Sequence, residues 1–158
     1  MTATPPRPAT ALRPAFPNAS VQRLVEFFEQ LQPHDLPCLP ALYEADARFK
    51  DPFNDVQGIA AIEGIFAHMF EALDTPHFIV TECIAQGPQC FLVWDFRFRF
   101  RRFDTESWQT VRGGTHLRFD AQGRVTLHRD YWDAAEELYE KLPLVGGLMR
   151  WLKRRANS

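Results

Sequence analysis

The chain has 158 residues, a formal net charge of −2, 46% hydrophobic and 13% aromatic content, and 14 Phe. That composition excludes a disordered chain, and the charge lacks the basic excess that a phosphate backbone demands, so nucleic acid is excluded as a partner. No apolar run approaches the ~20 residues of a spanning helix, so no membrane span is expected.

The first 19 residues hold five of the twelve prolines, with Arg7 and Arg13 and no apolar period, and read as a disordered Pro-rich tail without the apolar stretch of a signal peptide. A single domain is expected over residues 20–155. Ser20 can cap a helix running to about Leu31, because Val21, Leu24, Val25, Phe28 and Leu31 recur at helical spacing. A short helix broken by Pro37 and Pro40 follows over 38–44. Then "ARFKDPFNDVQG" places Asp51 before Pro52, which pushes Asp51 into an extended conformation at the end of a short strand. Its carboxylate either accepts hydrogen bonds from the following turn or is held there for chemistry. "GIAAIEGIFAHMFEAL" gives a third helix, with Ile62, Ile65, Phe66, Met69 and Leu73 facing inward. His68 on that helix reads as a core histidine.

The pattern then changes. "HFIVTECIA", "QCFLVWDFRFRFRR", "SWQTVRGGTHLRFD" and "RVTLHRDYWD" are β-branched and aromatic, separated by turn signals, and form a four-stranded meander. In the second of these, Leu92, Trp94, Phe96, Phe98 and Phe100 occupy one face, whereas Asp95 and Arg97 share the other. "AAEELYEKL" reads as a short helix ended by Pro143. "LVGGLMRWLKRR" is a basic amphipathic tail whose apolar side is expected to cover the domain's own edge, with a membrane surface or a partner as the alternative. Helices segregated from antiparallel strands argue for an α+β fold with a curved sheet. Cys38, Cys83 and Cys90 are odd in number, lack metal-ligand spacing, lie in apolar surroundings and read as buried free thiols, which fits a cytoplasmic protein. The chain has no P-loop, GxGxxG, HExxH or GxSxG, and neither a metal nor an organic cofactor is expected.

The stretches "VQRLVEFFEQL", "LYEADARFKDPF", "GIAAIEGIFAHMF", "GTHLRFDAQGRV" and "LHRDYWD" resemble the cone-shaped superfamily of ketosteroid isomerase, nuclear transport factor 2, limonene epoxide hydrolase and SnoaL-like polyketide cyclases. The resemblance implies a curved antiparallel (mixed) sheet wrapped over N-terminal helices, a cystatin-like roll with a deep pocket. It implies an apolar ligand of steroid, terpenoid or polyketide size, and a homodimer formed through the outer sheet face.

Ketosteroid isomerase places its general base at the Asp of such an Asp-Pro step, which matches Asp51. Its oxyanion donors match Leu24 and Thr115 here, and neither restores that oxyanion hole. "HRDYWD" resembles the limonene epoxide hydrolase strand whose catalytic aspartate matches Asp130. That enzyme pairs two aspartates around an arginine, a set that Asp95 and Arg97 would complete unless they form a cross-strand ion pair on the outer face. If Thr115 and Leu117 face the pocket, strand parity brings His128, Asp130 and Trp132 there too. The expected catalytic groups are Asp51, Asp130 and His128. Arg97, Asp95, Thr115, Leu117, Trp132, Phe66 and Leu24 are expected to contact substrate. The expected activity is proton transfer of the isomerase kind. The alternatives are a non-catalytic ligand- or protein-binding module and water addition to an epoxide.

Overall fold

A computed structural model describes residues 18–102, 104–139 and 145–156. Helix α1 spans Ala19–Gln30, and Asn18 rather than Ser20 caps it: the Asn18 side chain accepts from the Val21 amide at 2.9 Å. The proline-rich tail thus lies almost wholly outside the described residues. A 3-10 helix covers Pro33–Ala41, longer and earlier than expected, because Pro37 and Pro40 cannot donate to a regular α-helical ladder but fit tighter turns. Strand β1 (Tyr43–Lys50) and the three-residue β2 (Asp55–Gln57), which the sequence did not signal, flank the Asp51–Asn54 turn. Helix α2 (Ile59–Ala72) feeds directly into β3 (Leu73–Gln86). The meander continues through β4 (Gln89–Phe100), β5 (Gln109–Phe119) and β6 (Val125–Tyr131). A single-turn α3 (Ala134–Glu137) and α4 (Val145–Ala156) follow.

The six strands form one sheet in the order β2-β1-β6-β5-β4-β3. All pairs are antiparallel except β1 with β6, so the sheet is mixed, as the resemblance implied. That parallel pair seats the helical half of the chain against the last strand, with Phe49 opposite His128. Leu24 and Val25 of α1 and Ile62 and Phe66 of α2 are buried in one core with Leu92, Trp94 and Leu117 of the sheet. Burying one such side chain contributes about 1.5–3 kcal/mol, and the helices hold their place by this apolar face.

Two glycines shape the sheet. Gly113 stands opposite Trp94, and a Cβ there would sit 2.5 Å from the indole; a Cβ on Gly114 would meet the Phe91 ring on the other face. Adjacent glycines therefore let one large ring lie flat on each side of β5.

The tail helix departs from expectation. Leu148, Trp151 and Leu152 are 57%, 47% and 45% exposed, so the apolar side of α4 is not covered by the domain.

Candidate functional site

Strand pairing decides which polar groups meet. Thr115 lies directly opposite Asp130, and Leu117 opposite His128, so all four project from the same sheet face toward the helices. The result is a chain of hydrogen bonds between side chains. Trp94 Nε1 donates to Thr115 Oγ1 at 2.7 Å, and Thr115 Oγ1 donates to Asp130 Oδ1 at 2.6 Å. His128 Nε2 lies 2.9 Å from the same Oδ1, and His128 Nδ1 lies 2.6 Å from the Tyr43 hydroxyl.

The proton positions follow from donor and acceptor capacity. Burial, then the charge of Asp130, pushes the Tyr43 phenol well above its ordinary range, so it stays a donor and gives its proton to Nδ1. Nε2 then carries the ring hydrogen and donates to the Asp130 carboxylate. Phe28, Phe49 and Phe66 surround the imidazole, with the Phe49 ring centroid 4.7 Å away. These rings hold His128 in place, and His128 in turn holds Asp130.

Asp130 is the outlet of this network. Its Oδ1 accepts two hydrogen bonds, while no described residue donates to Oδ2. The side chain is 15% exposed and lines a cavity of about 650 Å³ between the sheet and α2. The walls are largely aromatic, with Phe66, Phe78, Trp94, Phe96, Phe98 and Trp132 among them. Phe53, more than half exposed, packs edge-on against Trp132 at 5.5 Å. Among the described residues lining this cavity, Asp51, Asn54, His68, Asp130 and the indole N–H groups of Trp94 and Trp132 are polar, and none is Lys, Arg or Tyr. A second, much smaller void of about 30 Å³ lies behind the network.

Asp51 lines the same cavity but is differently employed. Its Oδ1 accepts from the Phe53 and Asn54 amides at 2.7 and 2.6 Å, and Asn54 Nδ2 reaches both carboxylate oxygens at 3.0 Å. The Asp51 amide donates in turn to the Asn54 carbonyl. This is the turn-capping arrangement that Asp before Pro favours, and it uses most of the carboxylate's acceptor capacity.

The other expected contacts divide. Phe66 and Trp132 line the cavity. Leu24 and Leu117 line only the small inner void, and Thr115 is buried beside it, reaching the cavity through Asp130. Asp95 and Arg97 lie on the opposite face of the sheet, because the even positions of β4 turn inward, and so cannot complete a set with Asp130. Asp95 instead faces Arg112 across the strands at 3.8 Å. His68 is 81% exposed beside Glu71 at the rim of the cavity, not a core histidine. Tyr43 and Trp94 had no part in the expected site. Tyr43 is 85 positions from His128 and meets it only through the parallel β1–β6 pairing. Trp94 gave a signal, as an indole on the inward parity beside two glycines, but it read as core packing.

A mixed sheet curled over helices, with a buried polar chain opening into an aromatic cavity, defines the cone-shaped α+β class. The SnoaL-like domain profile matches residues 24–128, and the chain belongs to that family. Solved structures agree in fold. A Catenulispora acidiphila protein with a ketosteroid isomerase-like fold, crystallised with trimethylamine, aligns at TM-score 0.64 and 18% identity, covering 76% of this chain and 89% of that one. An NTF2-like protein of unknown function from Burkholderia pseudomallei aligns at 0.63 and 20% identity, covering 74% and 90%. An epoxide hydrolase of M. tuberculosis, similar to limonene epoxide hydrolase, aligns at 0.61 and 17% identity, covering 75% and 85%. No protein of curated function matches the chain in sequence.

Proposed function

We propose that the chain binds an apolar small molecule of steroid, terpenoid or polyketide size and moves a proton on it with Asp130. One observation carries this reading: one carboxylate oxygen of Asp130 is fixed by Thr115 and His128 while the other has no donor among the described residues, and the residue lines an aromatic cavity. A base held this way needs no reorientation when substrate arrives. Proton abstraction beside a carbonyl fits best, with Oδ2 accepting the proton and returning it to a neighbouring carbon. His128 is a positioning residue, and its hydrogen bond to Oδ1 orients the carboxylate. Tyr43 fixes the imidazole tautomer. Asp51 is the second candidate base at the cavity, its Oδ2 carrying one hydrogen bond to the three on Oδ1.

A second reading is a ligand-binding module without turnover. It is favoured by the cavity wall itself, where none of the described residues is a Lys, Arg or Tyr that could stabilise an enolate oxygen. Water addition to an epoxide ranks third, because Arg97 is on the other side of the sheet. The outer face carries Phe91 and the exposed Tyr131 with ring centroids 6.3 Å apart, an apolar patch that supports a homodimer of sheets packed face to face. Of the three thiols expected to be buried, only Cys90 is; Cys38 is exposed and Cys83 half-buried, and all three being free supports a cytoplasmic location.

The test is deuterium exchange. A panel of apolar cyclic ketones is incubated with the protein in heavy water, and label at the carbon beside the carbonyl is followed by mass spectrometry. Protein-dependent exchange supports the catalytic reading. Quenching of tryptophan fluorescence by the same ketones without any exchange would leave the binding module.

A further inference from the structure

We propose that α4 is an interfacial anchor that seats the protein on an anionic lipid bilayer. The helix carries Arg150, Lys153, Arg154 and Arg155 and no acidic residue, although the whole chain has a net charge of −2. Positive charge is therefore concentrated in one element. At 100° per residue, Leu148, Trp151 and Leu152 form one side of the helix, with Arg155 on the same side at its C-terminal end, and Arg150 and Arg154 the other. Burial would normally hide such an apolar side. Here all three residues are exposed, so the described residues of the domain leave this face open.

The chemistry of the face selects its occupant. A bilayer surface offers apolar acyl chains beneath anionic headgroups, which matches an apolar stripe flanked by cations. A second copy of α4 would offer the apolar stripe but bring like charges together. Arg155 sits with its guanidinium 5.5 Å from the Trp151 ring, an arrangement in which the indole enters the headgroup region while the cation stays with the phosphates. Twelve residues of helix rise ~18 Å, too short to span the ~30 Å hydrocarbon core, so the helix lies in the interface plane.

The experiment is co-sedimentation of the full chain with vesicles of phosphatidylcholine, with and without phosphatidylserine, at low and raised salt. The expected result is at least about tenfold stronger partitioning to the anionic vesicles, reversed by salt. Trp151→Ala and the double variant Leu148→Ser/Leu152→Ser should each lose most of it. Arg154→Glu should remove the preference for anionic lipid. Because these side chains are exposed, the variants should melt with the parent. The proposal is overturned if the full chain stays in the supernatant with anionic vesicles, or if the variants sediment as the parent does. It is also overturned if the parent elutes as an oligomer that Trp151→Ala dissociates without any vesicle binding, which would make a second copy the occupant.

Discussion

Two carboxylates reach one cavity and are built in opposite ways. Asp51 is held by its own neighbours: Phe53 and Asn54 donate to it within three residues, and Pro52 sets the backbone that makes this possible. Asp130 is held by groups distant in sequence, Thr115 from β5 on one side of its strand and, through His128, Tyr43 from β1 on the other. The first arrangement saturates most of the carboxylate. The second fixes one oxygen and leaves the other to the cavity. A motif that places an acid at a pocket therefore does not say whether the acid is available, and the count of donors around it does.

The comparison can be broken by substitution. The largest effect is expected from Asp130→Asn, which keeps the shape but removes the proton acceptor. Turnover in the ketone exchange assay should fall by about 10²–10⁴, with ligand quenching of tryptophan fluorescence retained. Next is Tyr43→Phe, which deprives the buried Nδ1 of its donor. Thermal or urea unfolding should register a loss of about 1–3 kcal/mol. Exchange should fall too, in kcat more than in KM, because the carboxylate is less well oriented. Asp51→Ala should cost about 1–2 kcal/mol in the same unfolding experiment, because it removes the acceptor of two turn amides and of the Asn54 side chain, and leave exchange within a few-fold of the parent. Arg97→Met, on the outer face, should leave exchange unchanged and shift stability by no more than about 0.5 kcal/mol. The Arg97 Nε is buried without a hydrogen-bond partner among the described residues, so removing it forfeits nothing.

A pH experiment sharpens the same contrast. Burial holds the Tyr43 phenol well above its ordinary value and pushes the Cys90 thiol to about 12. In the unfolded chain these groups ionise near ~10 and ~8.5. Above those values the folded chain binds more protons than the unfolded one, so stability must fall as pH rises. It is fully present below pH ~8.5 and is lost progressively above it. Tyr43→Phe and Cys90→Ala should each flatten that decline in urea midpoints measured across the alkaline range.

The fold was legible because its signals are local. The apolar stripe of α1, the even-position aromatics of β4 and the turn sequences between strands each follow from residues a few positions apart. The inward parity of Thr115, His128 and Asp130 was legible for the same reason. Tyr43 was not, since its role depends on a parallel pairing between strands separated by nearly half of the chain. Asp95 and Arg97 were misplaced because a resemblance asked for an arginine at the pocket, while the alternation of β4 had already sent both outward. For α4 the sequence supplied a correct amphipathic pattern but not what covers it, and the exposure of Trp151 reverses the expectation that the domain does.

The most direct measurement compares deuterium exchange into one ketone substrate for the parent, Asp130→Asn and Asp51→Asn under identical conditions. Exchange nearly abolished in Asp130→Asn and largely retained in Asp51→Asn is the expected result. Loss in Asp51→Asn with full exchange in Asp130→Asn would contradict it and make the turn aspartate the base.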